Sequence, residues 1–286
     1  MKFWLTAYVL LFASILLLAH EWVRIPDGKL HVAFLDIGQG DSVLITTPGN
    51  QRVLIDGGPD WSLLERLGEE LPFFGKTIHL LILTHSDADH ITAFPEVLRR
   101  YSVEKVLLTG IARETAIYSA FLNAARESGA EVILAESRND VDLGHGLTLD
   151  ILWPTESLFG EEVKETNNSS IVAKLTWKDH PTSSANGGLR GANILLTGDI
   201  EEKVEEALLK NGTDLSADIL KVAHHGSKTS SSTGFLLAVA PHLAVISVGR
   251  DNTYGHPHPS VLSRLETLGI PVRRTDEEGS IELTFE

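Results

Sequence analysis

The chain has 286 residues, 43% of them hydrophobic and 22% charged, a globular composition with length for one large domain or two small ones. Its net charge of -15 argues against a broad basic surface that grips nucleic acid through many Lys and Arg contacts to phosphate, although bound divalent ions would invert that field locally. Cysteine is absent, which excludes disulfides, thiolate zinc sites and a cysteine nucleophile.

In chain order, Lys2 precedes an apolar run from Phe3 to Ala19, broken only by Thr6 and Ser14, and charge returns at Glu21 and Arg24. Residues 1–24 therefore read as a signal peptide or signal anchor. Leu16, Leu17 and Leu18 before Ala19 offer no small-residue cleavage site, which favours an anchor. A tether through residues 3–19, with Lys2 on the near side, places the rest of the chain (29–286) outside the cytoplasm, exported or membrane-anchored.

From Leu30 short strands alternate with turns. His31–Asp36 reads as a strand, Ile37-Gly38-Gln39-Gly40-Asp41 as a Gly-rich turn, and Ser42–Thr46 as renewed extended structure. Pro48-Gly49-Asn50 then turns the chain into Arg52–Asp56, closed by Gly57-Gly58. These hairpin signals predict an antiparallel start, and no Lys-Ser/Thr follows the glycines to complete a phosphate loop. Asp36, Asp41 and Asp56 stand at strand ends, where each serves either to orient a metal-bound histidine or to cap a turn.

Asp60–Leu71 is amphipathic and predicts a helix. The apolar run Leu80–Leu83 predicts a buried strand that delivers Thr84-His85-Ser86-Asp87-Ala88-Asp89-His90, and a helix starting near His90 carries Phe94, Val97 and Leu98 on one face. His85, Asp87, Asp89 and His90 put four imidazole or carboxylate donors within six residues, a donor set suited to Zn, Mn or Fe. Clustered carboxylates with nothing to compensate them repel one another, so an incidental polar loop is the weaker reading. In one arrangement His85 and Asp87 serve one ion while Asp89 and His90 serve another.

The second half repeats this plan of strand, polar loop and helix. Strands are predicted at 105–108, 131–134, 147–152 and 171–176, with Asn167-Asn168-Ser169-Ser170 before the last and a polar surface loop over 178–192. Ile194–Thr197 delivers Gly198-Asp199, Asp218–Ala223 delivers His224-His225-Gly226-Ser227, and Val245–Val248 leads to Asn252-Thr253-Tyr254-Gly255-His256-Pro257-His258-Pro259. Six of the 12 histidines thus follow apolar strands, as a metal or catalytic site requires. Of His224 and His225, one is expected to be only a neighbour, since adjacent residues rarely face one site.

Together Leu35–Ser42, Leu54–Gly58, the His85–His90 loop, Leu196–Asp199, Lys221–Ser230 and Gly255–Pro259 resemble the metallo-β-lactamase superfamily, and within it the C-terminal domain of ComEC-type DNA-internalisation (competence) proteins. The resemblance runs from about Leu30 to the C-terminus. It implies an α/β fold, an αββα four-layer sandwich with a metal site at the sheet edge, and a hydrolase acting on phosphodiester bonds of DNA. The wider superfamily has His where this chain has Asp87, and a further His where Asn168 stands; the ComEC-like branch shares both substitutions. The resulting oxygen-rich site shifts preference from zinc toward manganese. Competence proteins also carry a multi-helix membrane channel, whereas this sequence offers at most one membrane segment, so a free-standing or tethered hydrolase is expected.

The implied mechanism is two-metal hydrolysis, with His85, Asp87, Asp89, His90, Asp199 and His225 holding two divalent ions (Mn or Zn) and Asp199 bridging them. A hydroxide formed between the ions attacks phosphorus. Asp89, His256, His258, Asn168 and Lys228 are the catalytic candidates: either histidine protonates the leaving oxygen or holds a phosphate oxygen, while Asn168 and Lys228 stabilise developing charge. The expected partner is DNA or another phosphodiester. A phosphocholine ester, lactone or β-lactam as substrate, or a non-catalytic metal-stabilised binding module, are the competing readings.

Overall fold

The computed structural model describes residues 27–72, 75–137, 140–177 and 193–286, with Trp4, Thr6, Tyr8, Leu11 and Phe12. Apart from those five positions the expected anchor lies outside the described residues, as does the polar loop 178–192. Among the described residues no helix is long and apolar enough to cross a membrane.

The first half runs β1 (Leu30–Phe34), β2 (Val43–Thr46), β3 (Arg52–Ile55), α1 (Ser62–Glu70), β4 (Thr77–Ile82), α2 (Ala88–Ile91), α3 (Phe94–Arg100), β5 (Ser102–Leu108), α4 (Ala116–Ser128) and β6 (Glu131–Leu134). The second half continues through β7 (Val141–Asp142), β8 (Leu147–Trp153), β9 (Val172–Trp177), β10 (Ile194–Leu196), α5 (Glu202–Lys210), β11 (Ile219–Lys221), α6 (Thr233–Val239), β12 (Leu243–Ile246), α7 (Pro259–Thr267), β13 (Val272–Arg274), α8 (Thr275–Glu278) and β14 (Ile281–Phe285).

Two seven-stranded sheets result, ordered β14-β1-β2-β3-β4-β5-β6 and β13-β12-β11-β10-β9-β8-β7. The antiparallel start is present: β1 pairs β2 and β2 pairs β3 in opposite directions. From β3 to β6 the pairing becomes parallel. The final strand returns to the first half, with Leu30 opposite Phe285. The second sheet mirrors this plan, antiparallel from β7 to β10 and parallel from β10 to β13.

Side-chain alternation makes the layers. Leu30, Val32, Phe34, Val43 and Ile45 point toward the facing sheet and meet Leu147, Leu149, Ile194 and Val245. Ala33, Leu44, Leu54 and Leu81 point the other way, onto α1, α3 and α4. In the second sheet Leu195, Leu220 and Ala244 pack under α5, α6 and α7. Strands covered on both faces have no polar face to present, so they read as continuous apolar runs. The expected αββα sandwich is the architecture found.

Where sequence and structure differ locally, the cause is identifiable. The helix expected near His90 is two helices, because Pro95 has no N–H to return to the Ile91 carbonyl. One edge of the sandwich collects the loops that follow β1, β3, β4, β10, β11 and β12. Glu205 of α5 ties one of them down: fully buried, it accepts from Ser231 N at 2.5 Å and Ser232 N at 2.9 Å. Ser231 has φ 55°, and Ser232 caps α6. Glu205→Ala leaves two amides without a partner and is expected to destabilise the fold by about 2–4 kcal/mol. A lower urea midpoint at unchanged m-value is the measurement; an unchanged midpoint would refute the role.

Candidate metal centre

The loop after β4 starts from a buried frame. Asp56, at the end of β3, accepts from Thr84 N at 2.8 Å and Thr84 Oγ1 at 2.7 Å, and its Oδ2 lies 2.8 Å from His90 Nδ1. Gly40 lets the β1–β2 turn press onto the same loop; a Cβ there would collide with the Asp89 carbonyl oxygen. From the second sheet, β10 delivers Asp199 and β11 delivers His224 and His225. Both histidines are left-handed, at φ 50° and 52°, a conformation costly for residues other than glycine.

These loops converge on Asp199. Its Oδ2 lies 3.3 Å from His90 Nε2 and 3.3 Å from His225 Nε2. Asp89 Oδ2 lies 3.3 Å from His225 Nε2 and 3.9 Å from His90 Nε2. Donor atoms of Asp89, His90, Asp199 and His225 all fall within 4.8 Å of one another. His85 stands beside them, its ring centroid 4.2 Å from that of His90, and its Nε2 is 3.7 Å from Asp87 Oδ2.

The hydrogen bonding tests whether this set fits a cation. The outward nitrogens are held: His90 Nδ1 by Asp56, His225 Nδ1 by the Ser247 carbonyl oxygen at 2.9 Å, and His85 Nδ1 by Thr84 Oγ1 at 3.2 Å. The inward Nε2 atoms of all three are buried without a hydrogen-bond partner, as is Asp199 Oδ1. Buried polar atoms are almost always hydrogen-bonded; here the Nε2 atoms of His90 and His225 face Asp199 Oδ2 at 3.3 Å without hydrogen-bond geometry, an arrangement open to a cation between them. The residues fit a divalent ion bound through nitrogen and oxygen.

Charge leads to the same conclusion. Asp41, Asp56 and Asp199 are buried, and the buried cation facing them, Lys221, contacts Asp41 and lies 3.9 Å from Asp199 Oδ1. The cluster Asp41–Asp56–His90 therefore already holds its positive charge. Burial opposes ionisation of Asp199, yet His225 and His90 outweigh it and hold the carboxyl well below its ordinary range. Burial likewise opposes protonation of His90 and His225, but Asp199 with Asp56 at the one and Asp41 at the other raises both well above the ordinary value of 6.5. His85, pushed down to about 3 by burial and by the charge on His90, stays neutral.

A cavity of about 230 Å³ opens over the cluster, walled by Asp87, Asp89 and Asp199 with His224, His225 and His256. Gln39, Asn167 and Tyr254 complete it. Asp87 reaches it while accepting from Arg113 Nη2 at 2.9 Å and from Thr166 Oγ1. Three expected residues are not brought there. Asn168 is spent on Glu165 and Glu201, from whose backbone N–H it also accepts. Lys228 is exposed on the far side of its loop. His258 caps α7 by accepting from Ser260 N. Of His224 and His225, only His225 has a donor atom within the close group, while His224 stands on the cavity wall beside it. Their consecutive left-handed conformations turn both rings into the cavity, His224 Nε2 lying 3.9 Å from Asp199 Oδ2.

Sequence reading missed Asn167, Gln39, Tyr254, Lys221 and Arg113. The Asn167-Asn168 pair was a usable signal, but only the 3-10 turn Thr166–Ser169 decides which of the two faces inward.

Comparison with known proteins agrees with this geometry. ComE operon protein 3 of Bacillus subtilis is 35% identical over 272 residues, covering 89% of this chain and 33% of that protein. Competence protein ComA of Neisseria gonorrhoeae is 33% identical over 260 residues, covering 90% of this chain and 33% of that one. The chain thus spans about a third of the length of these curated relatives. Among solved structures, the metallo-beta-lactamase fold protein YhfI of Bacillus subtilis superposes with a TM-score of 0.56 at 11% identity, over 90% of this chain and 99% of that one. The metallo-beta-lactamase superfamily model matches residues 35–250. With that match, the shared sandwich and the converging histidines and carboxylates, the chain belongs to the metallo-beta-lactamase superfamily.

Proposed function

We propose that the chain is a metal-dependent phosphodiesterase that cleaves DNA. The observation that carries the reading is the set of three buried imidazole Nε2 atoms without a hydrogen bond, two of them 3.3 Å from Asp199 Oδ2, beside an open cavity lined by Asp199 and His225. Asp89, His90, Asp199 and His225 hold one ion, and His85 with Asp87 supplies donors for a second beside it. Bound divalent ions supply Lewis-acid charge that lowers the pKa of water and offsets charge developing on phosphate oxygens. Oxygen donors outnumber what zinc ordinarily takes, which supports manganese. DNA as substrate is supported by the likeness to competence proteins over nearly the whole chain.

The chain's own residues supply the rest. Asp56 and the Ser247 carbonyl fix the rings of His90 and His225, so their free nitrogens need no reorientation. His256 is held at about 4 by burial and by His224, which leaves it unprotonated at neutral pH. In that state it accepts a proton or a hydrogen bond more readily than it donates one. His224, its ring centroid 5.7 Å from that of His256 on the same cavity wall, is the second imidazole placed to meet a leaving oxygen. Asn167 lines the same wall and offers an amide N–H to a phosphate oxygen.

Three measurements test this reading. Metal-free protein reloaded with Mn²⁺ or Zn²⁺ is expected to cleave single-stranded DNA and bis-p-nitrophenyl phosphate, while Asp199→Ala loses activity by at least about a thousandfold, the scale of a missing catalytic charge. Turnover retained in that variant would remove Asp199 from the centre, and cleavage of the small diester but not DNA would redirect the search to smaller substrates. Asp56→Asn cannot accept from His90 Nδ1, and metal affinity in a competition titration is expected to fall about 10- to 100-fold.

The third concerns pH. With folded pKa values above 6.5, His90 and His225 contribute stability to the metal-free protein that is complete below the unfolded value. It disappears as pH rises through the raised folded values. A cation needs neutral rings, so binding at pH 7 must expel protons and strengthen as pH rises. Calorimetry in buffers of different ionisation enthalpy should record release of at least one proton per protein; none released would contradict the assignment.

A further inference from the structure

Tyr254 is 71% exposed at the rim of the catalytic cavity. Its ring lies nearly parallel to that of His256, at 17° with centroids 6.1 Å apart, and His224 meets His256 edge-on at 68°. The loop beneath is fixed. Asn252 Nδ2 donates to the Gly249 and His256 carbonyl oxygens at 2.8 Å each, and its Oδ1 accepts from His256 N at 3.0 Å. A large aromatic ring thus stands in water next to the reacting centre, on a loop braced by Asn252.

The cavity dimensions and charge say what that face is for. Pockets that enclose a drug-sized ligand run to roughly 300–1,000 Å³, so about 230 Å³ admits a phosphodiester group and part of a sugar but not the attached base. The base is then left outside the cavity, and Tyr254 stands at its rim. Among the described residues the cavity wall carries no Lys or Arg, and the chain carries a net charge of -15, so backbone phosphates beyond the scissile one find little to hold them. A second, more open hollow of about 480 Å³ adjoins through Gln39 and is lined by Gly249, Asn252 and one cation, Arg250, together with Asp36 and Asp251, which gives the flanking strand a path past the same loop.

We infer that Tyr254 is a stacking platform for an unpaired nucleobase next to the scissile phosphodiester, which makes single-stranded nucleic acid the substrate class. This rests on the phosphodiesterase reading above. A base within a duplex has both faces covered by its neighbours, whereas an unpaired base offers one to an aromatic ring. Recognition by stacking is indifferent to base identity and needs no dense array of cations.

The test uses the metal-loaded full chain and short single-stranded oligodeoxynucleotides, intact or with one abasic sugar next to the cleaved bond. Base–aromatic stacking predicts that Tyr254→Ala raises KM for the intact strand roughly 5- to 150-fold, with most of the effect in KM and not kcat. Tyr254→Trp should restore KM. In the wild type the abasic sugar should cost a similar factor, and in Tyr254→Ala it should cost nothing further, a non-additivity that a structural role for Tyr254 would not produce. A wild-type KM in Tyr254→Ala, or an equal abasic penalty in both proteins, overturns the platform while leaving metal-dependent cleavage standing. A wild type that cleaves no DNA overturns DNA as the substrate and the platform with it.

Discussion

The structure depends on a concentration of negative charge that its own side chains do not neutralise. Asp41, Asp56 and Asp199 are buried at one edge of the sandwich, with Asp89 beside them, and Lys221 is the buried lysine that faces them. Removing ionised carboxylates from water costs several kcal/mol each unless they are paired. In the metal-free chain the histidines take up protons to answer that charge, and the free Nε2 atoms mark where a cation replaces them. The site is thus a cation receptor whose selectivity starts from electrostatics and is refined by the fixed directions of three imidazoles.

Much of the surrounding fold serves to hold that arrangement. The strands are buried on both faces and rigid, and they deliver the ligand-bearing loops to one edge. Within those loops the backbone takes unfavourable forms: Asp56, His224 and His225 all have positive φ. Such strain persists only where the surroundings overdetermine it. Here Asp56 is fixed by three hydrogen bonds from the β4 loop and His90, while the Glu205 carboxylate holds the loop that carries both histidines.

The acidity of the chain and a nucleic-acid substrate are compatible once recognition is separated from charge. Proteins that hold nucleic acid through phosphate contacts need cations along the strand and lose affinity steeply with salt. Under the proposed reading, a site built on two ions and an aromatic rim would concentrate positive charge at the one phosphate that reacts, and leave the rest of the strand to contacts that depend little on charge. In the curated relatives the matched region is about a third of a longer protein.

Much was legible in the sequence, for a physical reason. Strands covered on both faces leave unbroken apolar runs, and ligands delivered from strand ends follow those runs directly, so Leu80–Leu83 pointed to His85–His90, and Ile194–Thr197 to Asp199. Donor chemistry excluded thiolate sites, and the sandwich was implied by the resemblance that the loop motifs carry to the metallo-β-lactamase superfamily. Tertiary structure alone decided which neighbour faces inward: Asn167 and not Asn168, His224 as well as His225, His256 and not His258. Those choices turn on backbone dihedrals and on hydrogen bonds to residues distant in sequence, such as Asn168 to Glu201. It also paired Lys221 with Asp41 and set Tyr254 beside His256. Composition and local pattern fix which residues reach the edge of a sheet; only the packing of two sheets against each other fixes what each then meets.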